Sequence, residues 1–214
     1  MNYCIPLKDA FREAKKETGT KAYNLSLLLS HGFPVPRGFV IKASCFPEFL
    51  GKTGIKEKID TLLSETDVDN TAKLSGTSHE IKKLILSTEM PDEMKESLAN
   101  TYIGLGERED MQGLNEVAKS IMSSVNRETN VAVRGSVPND EFRNSFAGCT
   151  RANLNVRGKV GFIDAVKNVW ASFYSEHSIY YREKTGNQKT GLALLIQNMV
   201  RSEKAGVIFT INPV

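Results

Sequence analysis

The chain has 214 residues, 40% hydrophobic and 25% charged, which supports one good core or two small ones and argues against disorder. A net charge of +3 is too weak to point to nucleic acid. Three scattered cysteines, Cys4, Cys45 and Cys149, have no C-x-x-C spacing, which argues against a disulfide scaffold or a structural zinc site and fits a reducing cytoplasm. The first residues, MNYCIPLKDAFREAKKE, lack the apolar stretch of a secretory signal, and nowhere do ~18 apolar residues run together, so neither export nor a membrane span is expected.

In chain order, the first predicted element is a helix over AYNLSLLLSHG. Thr18 to Lys21 supply its start, Leu25, Leu28 and Leu29 form one face, and Gly32 occupies the C-terminal cap position. Pro34 and Pro36 then force an extended path into a strand at Gly38-Phe39-Val40-Ile41. From Lys52 to about Arg127 the texture is charged and helical, with apolar faces Ile55/Ile59/Leu62, Ile81/Leu84/Ile85 and Val117/Ile121/Val125, and Ser64 to Thr77 reads as a loop. Strands return at NVAVR and ANLNV, a single helix is predicted from about Phe162 to Arg182, and LALLIQNMV and GVIFTI read as further strands. A composition shift near Glu128 divides the chain into a helix-strand unit with a charged helical subdomain, 1–127, and an α/β subdomain, 128–214.

Two cations stand out for their placement. Lys21 follows Gly19-Thr20 at a helix start, where a flexible ammonium and helix N-terminal amides together suit a phosphate; taken alone, the stretch favours a solvated surface lysine. Arg134 ends the strand VAVR, and a guanidinium held by rigid backbone is a pre-aimed fork for an anion; the bland alternative is a surface ion pair before a hairpin. His31, His79 and His177 have no partner at ligand spacing, and no metal site is expected among them.

Four blocks in order, GTKAYNLSLLLSHGFPVPRGFVI, VAVRGSVPNDEFRNSFAGCTRANLNV, VKNVWASFYSEHSIYYREKTG and LALLIQNMVRSEKAGVIFTINPV, resemble the ATP-binding N-terminal domain of the phosphoenolpyruvate synthase, pyruvate phosphate dikinase and rifampicin phosphotransferase family. The resemblance implies an α+β, ATP-grasp-like fold with a helical insertion in the first half and an incomplete C-terminal part. It implies phosphate contacts from Lys21, Arg134 and Gly148, with Phe146 anchoring the loop. Gln197, Met199 and Val200 match the adenine segment, and Glu203 is a candidate for the ribose.

The family pattern is altered at Thr20, Gly135-Ser136, Ala152 and Asn212, and GLGERED, with Glu107, lies before the arginine strand rather than after it. No catalytic residue or metal ligand is therefore assigned in this chain, and the ligands for Mg2+ are expected beyond residue 214. The implied activity is transfer of phosphoryl groups from ATP to a histidine on another domain and then to pyruvate. An antibiotic kinase of the rifampicin phosphotransferase type is an alternative, and a non-catalytic nucleotide-binding or docking module is another. The expected partners are ATP and the phosphohistidine and acceptor-binding domains of a longer protein.

Overall fold

The computed structural model describes residues 3–106, 129–137, 151–186 and 191–208. A five-stranded antiparallel sheet, β1 (Cys4–Pro6), β2 (Gly38–Ile41), β3 (Val131–Ser136), β4 (Ala152–Val156) and β5 (Ala193–Asn198), organises the described residues. The strand order is β1-β2-β5-β3-β4, so β5 lies between a strand from early in the chain and one from the middle. Among the described residues, seven α-helices and one 3-10 turn pack around it, and the architecture is α+β.

The two faces of the sheet are covered differently. On one, Val40, Ala193 and Leu195 meet the 3-10 turn Leu7–Arg12 and the first helix, α1 (Lys15–Ser30), through Leu7, Ala10 and Ala22. On the other, Phe39, Ile41, Val131, Val133, Leu194 and Ile196 belong to the larger core formed with the remaining helices. The alternation follows from the two-residue period of a strand, which sends successive side chains to opposite faces.

The larger core is rich in rings. α2 (Cys45–Lys52) brings Phe46 and Phe49, whose ring centroids lie 5.3 and 5.4 Å from that of Trp170 on α6 (Lys159–Ser172). Tyr102 of α5 (Asp92–Gly106) stacks on Phe162 at 4.8 Å, and its hydroxyl donates to the Thr129 carbonyl while accepting from the Gly158 amide. The short strand β1 was not anticipated. It is secured by Tyr3, whose hydroxyl donates to Glu48 at 2.9 Å and accepts from Lys52 at 3.2 Å.

Two boundaries differ from the sequence reading. The segment read as a loop from Ser64 to Thr77 is loop only to Asn70: α3 (Lys56–Ser64) precedes it, and α4 (Thr71–Ser87) begins where the Asn70 side chain accepts the Lys73 amide hydrogen. The helix expected over 162–182 is two, α6 and α7 (Glu176–Thr185). Ser175 caps the second by accepting from the Ser178 amide, and the Arg182 guanidinium folds back 4.2 Å above the Phe173 ring. A local cap thus outcompetes a continuous apolar stripe. The predicted face Val117/Ile121/Val125 lies outside the described residues.

GVIFTI also departs from expectation over its described part. Gly206 to Ile208 form no strand, and Val207 and Ile208 are 80% and 93% exposed. No neighbouring strand among the described residues offers them a ladder.

Candidate functional site

The site is built where α1 meets the end of β3. The helix is not continuous: Gly19 sits at φ 73, ψ 157, a region that only glycine occupies at low cost. The break separates a first turn from the main helix, and each part is tied to a different strand-end segment. Ahead of the break, the Glu17 carbonyl accepts from the Ala43 amide at 2.9 Å, and its carboxylate accepts from the Ser44 hydroxyl at 2.9 Å. Beyond it, the Thr20 amide donates to the Val137 carbonyl and the Ala22 amide to Ser136 Oγ, both at 3.1 Å.

These contacts hold the two cations together. Lys21 Nζ donates to the Gly135 carbonyl at 3.1 Å, across 114 residues of chain. Although Lys21 is an exposed residue, its ammonium end is tucked against β3, and this partial burial lowers its pKa from the ordinary lysine value. The neighbouring Arg134 guanidinium lowers it further, because a like charge disfavours the protonated form. Arg134 is the one exposed residue of β3. Two adjacent positive charges, one on a flexible stem and one on a rigid strand, make a place where an anion relieves repulsion.

Gln197 is nearly buried, with 8% of its surface exposed, and lies on β5 opposite Ala132 and Gly38. Because Arg134 faces Leu195 across the ladder and residues two apart share a face, Arg134 and Gln197 lie on the α1 side of the sheet. The Gln197 amide reaches the Pro36 carbonyl at 3.4 Å.

Met199 and Val200 lie farther along the same segment, near the start of β3. They line a cleft of about 860 Å³ with Asn130, Asn155, Asn198, Arg157 and Arg201. Lys21, Arg134 and Gln197 are not among the lining residues of that cleft. Asn155 lines it from within β4 at φ 55, an uncommon conformation for any residue with a side chain. Glu203 is exposed in a bend beyond it. Gly148 and Phe146, the loop residues singled out from the sequence, lie outside the described residues.

Among the described residues, no three of histidine, cysteine, aspartate and glutamate come together as a metal-binding group. His31 supports the end of α1, with Nδ1 2.8 Å from the Leu27 carbonyl, and His177 stacks on Tyr181.

Sequence reasoning missed the clasp made by Gly19 and Ser136. Its sign was a glycine immediately ahead of the helix, GTKA, whose added Cβ would overlap the Ser136 carbonyl. Nothing local in the sequence connects residue 19 to residue 136.

The profile of the family described as "Pyruvate phosphate dikinase, AMP/ATP-binding domain" matches residues 15–214. The chain is 40% identical over 199 residues to a probable phosphoenolpyruvate synthase of Archaeoglobus fulgidus, covering 92% of this chain and 24% of that protein. It is 36% identical over 197 residues to a probable phosphoenolpyruvate synthase of Methanothermobacter thermautotrophicus, covering 91% and 27%. A phosphoenolpyruvate synthase of Pyrococcus furiosus is 31% identical over 231 residues, covering 92% and 26%. The chain therefore spans about a quarter of the length of these relatives. Matched over nearly its whole length, it belongs to the pyruvate phosphate dikinase AMP/ATP-binding domain family.

Proposed function

We propose that the face carrying Lys21, Arg134 and Gln197 binds ATP, and that the chain serves as the nucleotide-binding domain of a phosphoenolpyruvate synthase type enzyme with an ATP-grasp-like fold. The observation that carries this reading is the meeting of Lys21 with the Arg134-Gly135 strand end across 114 residues of chain. Lys21 and Arg134 take the phosphates, and Gly148 lets a loop lie close over them. The base docks along the segment from Gln197 to Val200, and Glu203 serves the ribose.

The backbone narrows how the base is read. The Asn198 amide already donates to the Arg37 carbonyl and the Met199 amide to the Asn130 carbonyl, both at 2.9 Å. New main-chain N–H donors to a base therefore come from Val200 onward, while Met199 supplies apolar contact. From the register, Arg134 and Met199 are four ladder steps apart, about 13 Å, a span suited to an extended nucleoside triphosphate.

In this reading Lys21 leaves the Gly135 carbonyl to meet a phosphate, and Arg134 grips a second oxygen pair without moving. When bound, Mg2+ would neutralise charge on the transferred group, its protein ligands lying beyond residue 214. The phosphoryl group passes to a histidine of another domain and then to pyruvate.

Isothermal titration with ATP tests the reading. Lys21→Ala and Arg134→Ala should each weaken binding about 10- to 100-fold, the usual range for a hydrogen bond to a charged group, with thermal melting preserved. Unchanged affinity in both variants would remove the phosphate assignment. A folded wild-type chain that ignores millimolar ATP would instead favour a docking module.

A further inference from the structure

We propose that Ser136 is a positioning residue for the nucleotide phosphates: it caps the Lys21-bearing helix from the strand that carries Arg134. The proposal rests on the ATP reading above for its functional consequence, although its structural half stands on the clasp alone.

A helix start ordinarily receives its cap from its own first residue, whose side-chain oxygen accepts an amide hydrogen two or three residues on. In the main part of α1 that first residue is Gly19, which has no side chain to offer. It cannot be replaced by serine or aspartate, because a Cβ there would overlap the Ser136 backbone carbonyl. The duty passes to Ser136, whose Oγ accepts from the Ala22 amide, the third amide after Gly19. Ser136 is fully buried, so water does not substitute for this bond.

The arrangement has a geometric consequence. Ser136 follows Arg134 by two residues, so both side chains leave β3 on the α1 side. Lys21 lies between Thr20 and Ala22, whose amides are bonded to Val137 and Ser136. The two cations thus ride on one short link, and the Ser136 hydroxyl bonds it to the helix backbone. A local cap would hold the helix equally well but would remove one of the ties that fix Lys21 relative to Arg134, leaving the Thr20–Val137 and Lys21–Gly135 bonds.

The test compares Ser136→Ala, Ser136→Thr and Lys21→Ala, singly and as the Ser136→Ala/Lys21→Ala pair, for ATP and for adenosine. Ser136→Ala should weaken ATP about 10-fold, since small misplacements of a positioned charge cost that much or more. Adenosine affinity should not change, because it has no phosphates to misplace. Ser136→Thr, which keeps the hydroxyl, should recover ATP binding. In the Lys21→Ala background, Ser136→Ala should have little further effect.

Lys21 side-chain NMR titration of the ligand-free protein supplies a readout independent of nucleotide. Loosening the link should move its pKa back toward the ordinary lysine value in Ser136→Ala and leave it in place in Ser136→Thr. Equal losses for ATP and adenosine, full additivity with Lys21→Ala, or an unmoved Lys21 titration in a folded Ser136→Ala protein would each overturn the proposal. If wild type binds no ATP, the functional reading fails, and the Lys21 titration still decides whether Ser136 positions the charge.

Discussion

Lys21 shows how a side chain can look ordinary by exposure and still be unusual electrically. Its ammonium sits against the Gly135 carbonyl with Arg134 close by, so its pKa lies below the ordinary lysine value, first through burial and then through the neighbouring charge. The sign of the consequence follows. Between the lowered folded value and the ordinary unfolded one, the unfolded chain binds more protons, so this group makes stability rise with pH in that window. A bound phosphate has the opposite preference, because it favours protonated Lys21. ATP affinity should therefore fall as pH rises from neutrality through the lowered Lys21 value, earlier than for an unperturbed lysine. Lys21→Arg should flatten this fall, since a guanidinium stays charged throughout. Calorimetry of both proteins from about pH 7 to about pH 10 checks it, and parallel curves would disprove the role of Lys21 titration.

At the level of elements, α1 is where sequence and structure part most informatively. Its end at Gly32, whose amide donates to the Leu29 carbonyl at φ 80, was legible from cap chemistry, but its start was not: the sequence reading places it at Thr18 to Lys21, whereas the helix begins at Lys15 and no side chain of its own caps that end. Its buried face was only partly legible: Leu25 and Leu29 pack on the smaller core, whereas Leu28 is 42% exposed. The break at Gly19 was not legible, because its cause is a strand more than a hundred residues away. The same distance hid the split between α6 and α7, where Ser175 and Arg182 act through geometry that a periodic stripe does not record. Gly19→Ala tests the break directly. Alanine must adopt a conformation costing about 1–3 kcal/mol and must also displace the Ser136 carbonyl, so urea unfolding should show at least that loss. An alanine variant as stable as wild type would mean that the helix and strand do not meet as described.

For the whole molecule, β2, β3, β4 and β5 were expected from pattern and exist, whereas GVIFTI forms no strand over its described part, and the strand order could not be read from local periodicity. That order sets how the molecule should unfold. β5 bonds on one side to β2, from the first fifth of the chain, and on the other to β3. The larger core likewise joins Phe46 and Phe49 of α2 to Trp170 of α6. Removing either half would strip one face from fully buried residues such as Ile41, Leu194 and Trp170. Neither half keeps a complete core of its own, so the described parts should unfold together. Trp170 is the single tryptophan and is fully buried, so its fluorescence reports the core, whereas far-ultraviolet dichroism reports chiefly the helices. In urea the two signals should trace one transition with a common midpoint and slope. Two separated midpoints would show that the helices of the first half unfold independently of the sheet, and the interleaved strand order would then not govern cooperativity.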